Sequence, residues 1–79
     1  MRILVAEDDS SLRRALISIL QKNHYTAEAV DNGGDALDYL LSGLYDAAIL
    51  DIMMPRMDGI RATMKIREIS AVPIIFLSA

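Results

Sequence analysis

The chain has 79 residues, 53% of them hydrophobic and 24% charged, with a formal net charge of −3. That length allows one domain, burying about 60–65% of the surface its unfolded chain would expose. The composition is too apolar for a disordered chain, and the acidic balance argues against direct nucleic-acid binding. No cysteine is present, which excludes disulfides and thiolate metal sites and fits a reducing cytoplasm. The apolar run after Met1-Arg2 is too short for a signal peptide or a membrane span. A soluble cytoplasmic protein without a membrane partner is therefore expected.

Ile3-Leu4-Val5-Ala6 is a continuous apolar run, as in a strand buried on both faces of a parallel sheet. Ser10 or Ser11 can cap a helix with apolar positions at Leu12, Ala15, Leu16, Ile19 and Leu20, the spacing of an amphipathic stripe. Asn23-His24 breaks it, and Tyr25 to Val30 reads as a less buried second strand. Asp31-Asn32-Gly33-Gly34 is a turn before a helix with Ala36, Leu37, Leu40 and Leu41 on one face, ended by Ser42-Gly43. Tyr45 to Asp51 holds a third buried strand that terminates in an acid. Met53 to Met57 forms a loop, with Pro55 holding Met54 extended. Asp58 can cap a third helix running to about Ile69, and Pro73 opens a last strand, Ile74-Ile75-Phe76-Leu77. This strand–helix alternation predicts an α/β fold with a parallel sheet and right-handed crossovers. Residues just past the strand ends then meet on one edge, where ligands bind.

Glu7, Asp8 and Asp9 fall at the end of the first strand, Asp51 at the end of the third and Ser78 at the end of the fourth. With the first and third strands adjacent, Glu7, Asp8 and Asp51 share one crevice. Carboxylates a few ångströms apart repel, and a hard divalent cation is the natural remedy. Mg²⁺ suits such a place, because it needs only one or two carboxylates and completes its shell with waters and a phosphate oxygen. A carboxylate can also act as a nucleophile toward phosphorus. Taken singly, each of these acids reads equally well as a helix cap or a solvated loop charge, and Ser78 alone carries no signal. Their coincidence at three strand ends is what points to a site.

Three segments carry a family resemblance: Ile3-Leu4-Val5-Ala6-Glu7-Asp8-Asp9; Asp51-Ile52-Met53-Met54-Pro55-Arg56-Met57-Asp58-Gly59 with the apolar strand before it; and Val72-Pro73-Ile74-Ile75-Phe76-Leu77-Ser78-Ala79. In this order, and over the whole chain, they resemble the receiver domain of bacterial two-component response regulators. The Asp-x-Met-Met-Pro-x-Met-Asp-Gly segment is the most specific of them. The resemblance implies a flavodoxin-like doubly wound parallel sheet. It implies Asp51 as phosphoacceptor, and Mg²⁺ held by Glu7, Asp8, Asp51 and the main-chain carbonyl of Met53. Ser78 is then the hydroxyl that bonds the phosphoryl group and reports it, beside a small Ala79, while Pro55 and Gly59 shape the loop and the start of the third helix. The implied partner is a sensor histidine kinase. The Glu7-Asp8-Asp9 run most resembles receivers attached to winged-helix DNA-binding domains, hence a role in transcription regulation.

The same resemblance marks a departure. A complete receiver has five strands, and residues 1–79 would supply only the N-terminal part of that single domain. The pattern stops after the fourth strand, and the fourth helix, fifth strand with its lysine, fifth helix and any effector domain would be absent. The reading is therefore a truncated receiver, impaired in phosphorylation. Its fourth strand, left as an apolar edge, invites pairing into a homo-oligomer. Two other classes compete with this reading. An aspartate-nucleophile phosphatase would need an acid at position 53, where Met stands; a non-signalling, self-associating fragment would need no site at all. His24 and the methionines Met53, Met54, Met57 and Met64 are taken as packing or surface residues, and Arg13 and Arg14 as solvated, or as contacts for a kinase.

Overall fold

The computed structural model describes residues 1–51, 64, 65, 67 and 71–77. Four strands are defined there: β1 (Arg2–Ala6), β2 (Thr26–Val30), β3 (Ala47–Asp51) and β4 (Ile74–Leu77). Two helices join the first three, α1 (Ser10–Lys22) between β1 and β2, and α2 (Gly33–Leu41) between β2 and β3. Met64, Lys65 and Arg67 are helical, where a third helix is expected. The proposed Asp58 cap and the loop from Met53 to Met57 lie outside the described residues.

All pairings are parallel, and the order across the sheet is β2-β1-β3-β4. The first and third strands are thus neighbours, with Ala6 opposite Leu50 on one side and Val30 on the other. Period-2 alternation sends Leu4 and Ala6 to one face and Ile3 and Val5 to the other. On the first face Leu4, Ala6, Val30, Ala48 and Leu50 pack with Ala36 and Leu40 of α2 and with Val72, with Leu37 and Tyr45 at the margin. Leu4, Val5 and Leu50 are wholly buried, which is why the strands read as unbroken apolar runs.

The helix starts differ from the expectation. Asp9, not Ser10 or Ser11, caps α1: its carboxylate accepts from the Leu12 amide at 2.9 Å. An ionised carboxylate at this position also complements the positive end of the helix. The turn before α2 is shorter than expected, because Asn32 already caps at Gly33, accepting from the Asp35 amide at 2.8 Å. The apolar stripe of α1 is also less covered than its spacing suggests. No residue of the helix is buried, and Leu12 and Ile19 are exposed; among the described residues α1 packs chiefly on β1 and β2. In α2, Leu41 faces solvent although Ala36 and Leu40 are buried.

The end of α1 is closed by Tyr25 donating its amide to the Leu20 carbonyl and His24 donating to Gln21, both at 3.0 Å. That pair of bonds requires a left-handed residue between helix and strand, and His24 supplies it with φ 68°. Gly43 plays the same part after α2, with φ 74°.

A strand-end carboxylate cluster

The site grows from the C-terminal ends of β1 and β3. Glu7 still belongs to the sheet through its amide, which donates to the Val30 carbonyl at 3.1 Å. Its side chain is buried at 3% exposure, and one carboxylate oxygen accepts from the Asp9 amide at 3.2 Å. Asp8 follows on an exposed turn, and Asp51 closes β3. Carboxylate oxygens of Glu7, Asp8 and Asp51 lie within 4.8 Å of one another. The parallel pairing of β1 with β3 brings together acids 43 or 44 positions apart in the chain, as their placement at strand ends predicts.

Burial, above all, pushes the Glu7 carboxyl above its ordinary range. The Asp9 amide pulls the other way, while a hydrogen bond with Asp51 and the charges of Asp51 and Asp8 push it further up. A buried acid whose proton affinity is raised beside two acidic neighbours marks a donor set short of positive charge. Three hard oxygen donors from three residues fit Mg²⁺, whose remaining positions go to water or phosphate. Met53 and Ser78 lie outside the described residues. Leu77, which precedes Ser78 in the chain, is in register with Asp51.

Two features escape a reading of the sequence. Arg13 is not solvated: it is half-buried, and its Nη1 donates to the main-chain carbonyls of Glu7 at 2.9 Å and Asp8 at 3.3 Å. No local pattern announces this, because it depends on how α1 folds back over the end of β1. At the opposite end of the sheet, Arg2 pairs with Glu28, Tyr45 donates its hydroxyl to Glu28 at 2.9 Å, and the guanidinium lies over the Tyr45 ring. Hydrogen bonding to Arg2 and then to Tyr45 holds the Glu28 carboxyl below its ordinary range. That cluster ties the start of β1 to the middle of β2 and includes none of the three acids. His24 serves the helix end and is placed in no site.

A parallel α/β sheet with an acidic, cation-fitting cluster at its strand ends defines the class. Comparison with known proteins then gives the family: the family model for the response regulator receiver domain matches residues 3–79, and the chain belongs to that family. It is 41% identical over 80 residues to the transcriptional regulatory protein DltR of Streptococcus agalactiae, covering all of this chain and 36% of that protein. It is 41% identical over 78 residues to ResD of Bacillus subtilis, covering 99% of this chain and 32% of that one. The chain thus spans about a third of these relatives. Among solved structures it is similar to the response regulator TrrA of Thermotoga maritima. In complex with Mg²⁺–BeF, TrrA superimposes with a TM-score of 0.93 at 39% identity, covering 99% of this chain and 69% of TrrA. In complex with the histidine kinase ThkA, TrrA gives a TM-score of 0.90 at the same identity, covering 99% and 68%. The chain is accordingly a receiver domain of two-component signalling, a family of phosphoacceptor modules that bind Mg²⁺ in an acidic pocket and partner with sensor histidine kinases. Its class is a signalling domain, and its fold is flavodoxin-like. Among the described residues no helix is long and apolar enough to cross a membrane.

Proposed function

We propose that Asp51 is the phosphoacceptor of this receiver, and that Glu7, Asp8, Asp51 and the main-chain carbonyl of Met53 hold Mg²⁺. The convergence of three carboxylates within 4.8 Å at the ends of β1 and β3 carries the reading. The Mg²⁺–BeF complex of TrrA supports it by likeness. A carboxylate oxygen of Asp51 attacks the phosphorus of a phosphohistidine; the P–N bond breaks, and the imidazole nitrogen leaves with its electron pair and takes up a proton. Bound Mg²⁺ supplies the positive charge that offsets repulsion between the anionic nucleophile and the anionic phosphoryl group. Burial raises the proton affinity of Glu7, and a bound cation would favour its ionised form as one of the residues that hold the metal. Asp8 adds a second charge from the exposed side of the cluster, and the Ser78 hydroxyl bonds the transferred group. The phosphate donor is a sensor histidine kinase, a partner suggested by the ThkA complex of TrrA. Direct nucleic-acid binding is not part of this segment's proposed role, in keeping with its net charge of −3.

Intact mass after incubation with Mg²⁺ and acetyl phosphate tests the assignment. An adduct on the wild type, absent from Asp51→Asn, is expected; an adduct that survives the substitution would move the acceptor elsewhere. Self-association belongs to the same proposal. β4 forms one edge of the described sheet, with Ile75 59% and Phe76 44% exposed. An apolar edge of this kind pairs with a second copy of the chain.

A further inference from the structure

Glu7 and Asp8 leave the sheet at the point where their carbonyls run out of strand partners. The polypeptide turns there, and its carboxylates face Asp51 only if the turn holds one shape. Three bonds shape its side toward α1: Asp9 donates its amide to Glu7, its carboxylate caps Leu12, and its carbonyl accepts from the Arg13 amide at 2.9 Å. The two carbonyls of Glu7 and Asp8 are taken by a single guanidinium nitrogen, Nη1 of Arg13, one turn into α1. Strand end, acidic turn and first helical turn are thus closed into a loop whose clasp is the Arg13 side chain. Its outer side borders an open cleft that also includes Asp31, Asp35 and Tyr39.

We infer that Arg13 is a positioning residue of the acidic site: by clasping the Glu7 and Asp8 carbonyls it sets the two carboxylates toward Asp51. This rests on the reading of the cluster as a Mg²⁺ site. Its charge and its geometry act in opposite directions. A cation near the cluster competes with Mg²⁺, so loss of charge alone would tighten binding. Loss of the clasp frees the turn and weakens binding, about tenfold on the scale of residues that orient metal ligands. The sign of the effect therefore distinguishes the two roles.

The experiment is calorimetric titration of the whole chain with Mg²⁺, comparing wild type, Arg13→Ala, Arg13→Met, Arg13→Lys and Arg14→Ala. Arg14 is exposed on the same turn of α1, and its removal takes away the same charge. The expected result is a Kd raised about tenfold in Arg13→Ala, changed less than about twofold in Arg14→Ala, and intermediate in Arg13→Lys, which keeps the charge and a donor nitrogen on a different stem. In metal-free protein the Asp9 amide should exchange several-fold faster in Arg13→Ala and at the wild-type rate in Arg14→Ala. Equal or tighter Mg²⁺ binding by Arg13→Ala, with Asp9 exchange unchanged, overturns the inference. Absence of Mg²⁺ binding by the wild type overturns the site reading itself, and the inference with it. Arg13→Met, which keeps the stem but has no donor, preserves the test should the alanine variant not fold: a methionine variant that binds Mg²⁺ and exchanges Asp9 as the wild type does overturns the inference.

Discussion

Replacing Asp51 by Asn should make the metal-free domain more stable and the Mg²⁺-loaded domain comparatively less so. At 4.8 Å two unit charges repel by about 0.9 kcal/mol at a dielectric constant of about 80, and by about 3.5 kcal/mol at an effective value of about 20. The Glu7–Asp51 pair is softened because burial and these same neighbours favour the proton on Glu7. The Asp8–Asp51 pair then dominates. With Asp8 exposed, solvent screening should hold the relief to about 0.5–1 kcal/mol. For a chain of this size the urea slope is about 1 kcal/mol/M, so the midpoint should rise by about 0.5–1 M in EDTA. Mg²⁺ at about 100 times its Kd should then stabilise the wild type by about 2.7 kcal/mol and the variant far less, narrowing or inverting the gap. With no tryptophan in the chain, far-UV circular dichroism is the readout. If Asp51→Asn is no more stable than wild type in EDTA, the three carboxylates do not share a crevice. If both gain equally from Mg²⁺, the cation binds elsewhere.

Stability should also depend on pH through two glutamates of opposite sign. Glu28 is held low in the folded state, so its contribution is present above its ordinary pKa and is lost as pH falls through its lowered value; Glu28→Gln should flatten the acid limb of the stability curve. Glu7 is held high, so the fold binds the extra proton and stability declines as pH rises from its ordinary pKa through the raised one. Glu7→Gln should remove that decline in urea melts without Mg²⁺; a decline that persists would assign it to another group. His24→Gly should raise stability by about 0.5–1 kcal/mol in thermal melts, since a left-handed position costs a side chain more than glycine, whereas a loss would mean the imidazole makes a contact that matters. Ile75→Lys should lower the concentration dependence of the mass seen by light scattering, and a monomeric wild type at every concentration would remove the proposed β4 pairing.

Much of the architecture was legible because strands of a parallel sheet are written as unbroken apolar runs. Ile3 to Ala6, Ala47 to Leu50 and Ile74 to Leu77 announce themselves, although β4 is exposed at Ile75 and Phe76, and each is followed by the residues that a parallel sheet delivers to one edge. The identities of Glu7, Asp8 and Asp51 as candidates were therefore settled by position along the chain alone. The cap of α1 was misplaced by one or two residues because Asp9, Ser10 and Ser11 are all competent caps, and only the backbone leaving the acidic turn selects the first. The sparse cover of α1 was equally hidden, since an amphipathic stripe records which side is apolar and not how much sheet lies beneath it. Only the tertiary structure decided that β1 lies beside β3, and with it the short distance between acids 43 or 44 residues apart; that adjacency also raises the proton affinity of Glu7. It decided as well that Arg13 turns inward to the acidic carbonyls instead of outward to water. Spacing specifies which residues can meet, but the direction of a long flexible side chain is chosen by whichever unpaired carbonyl the packed chain brings within reach.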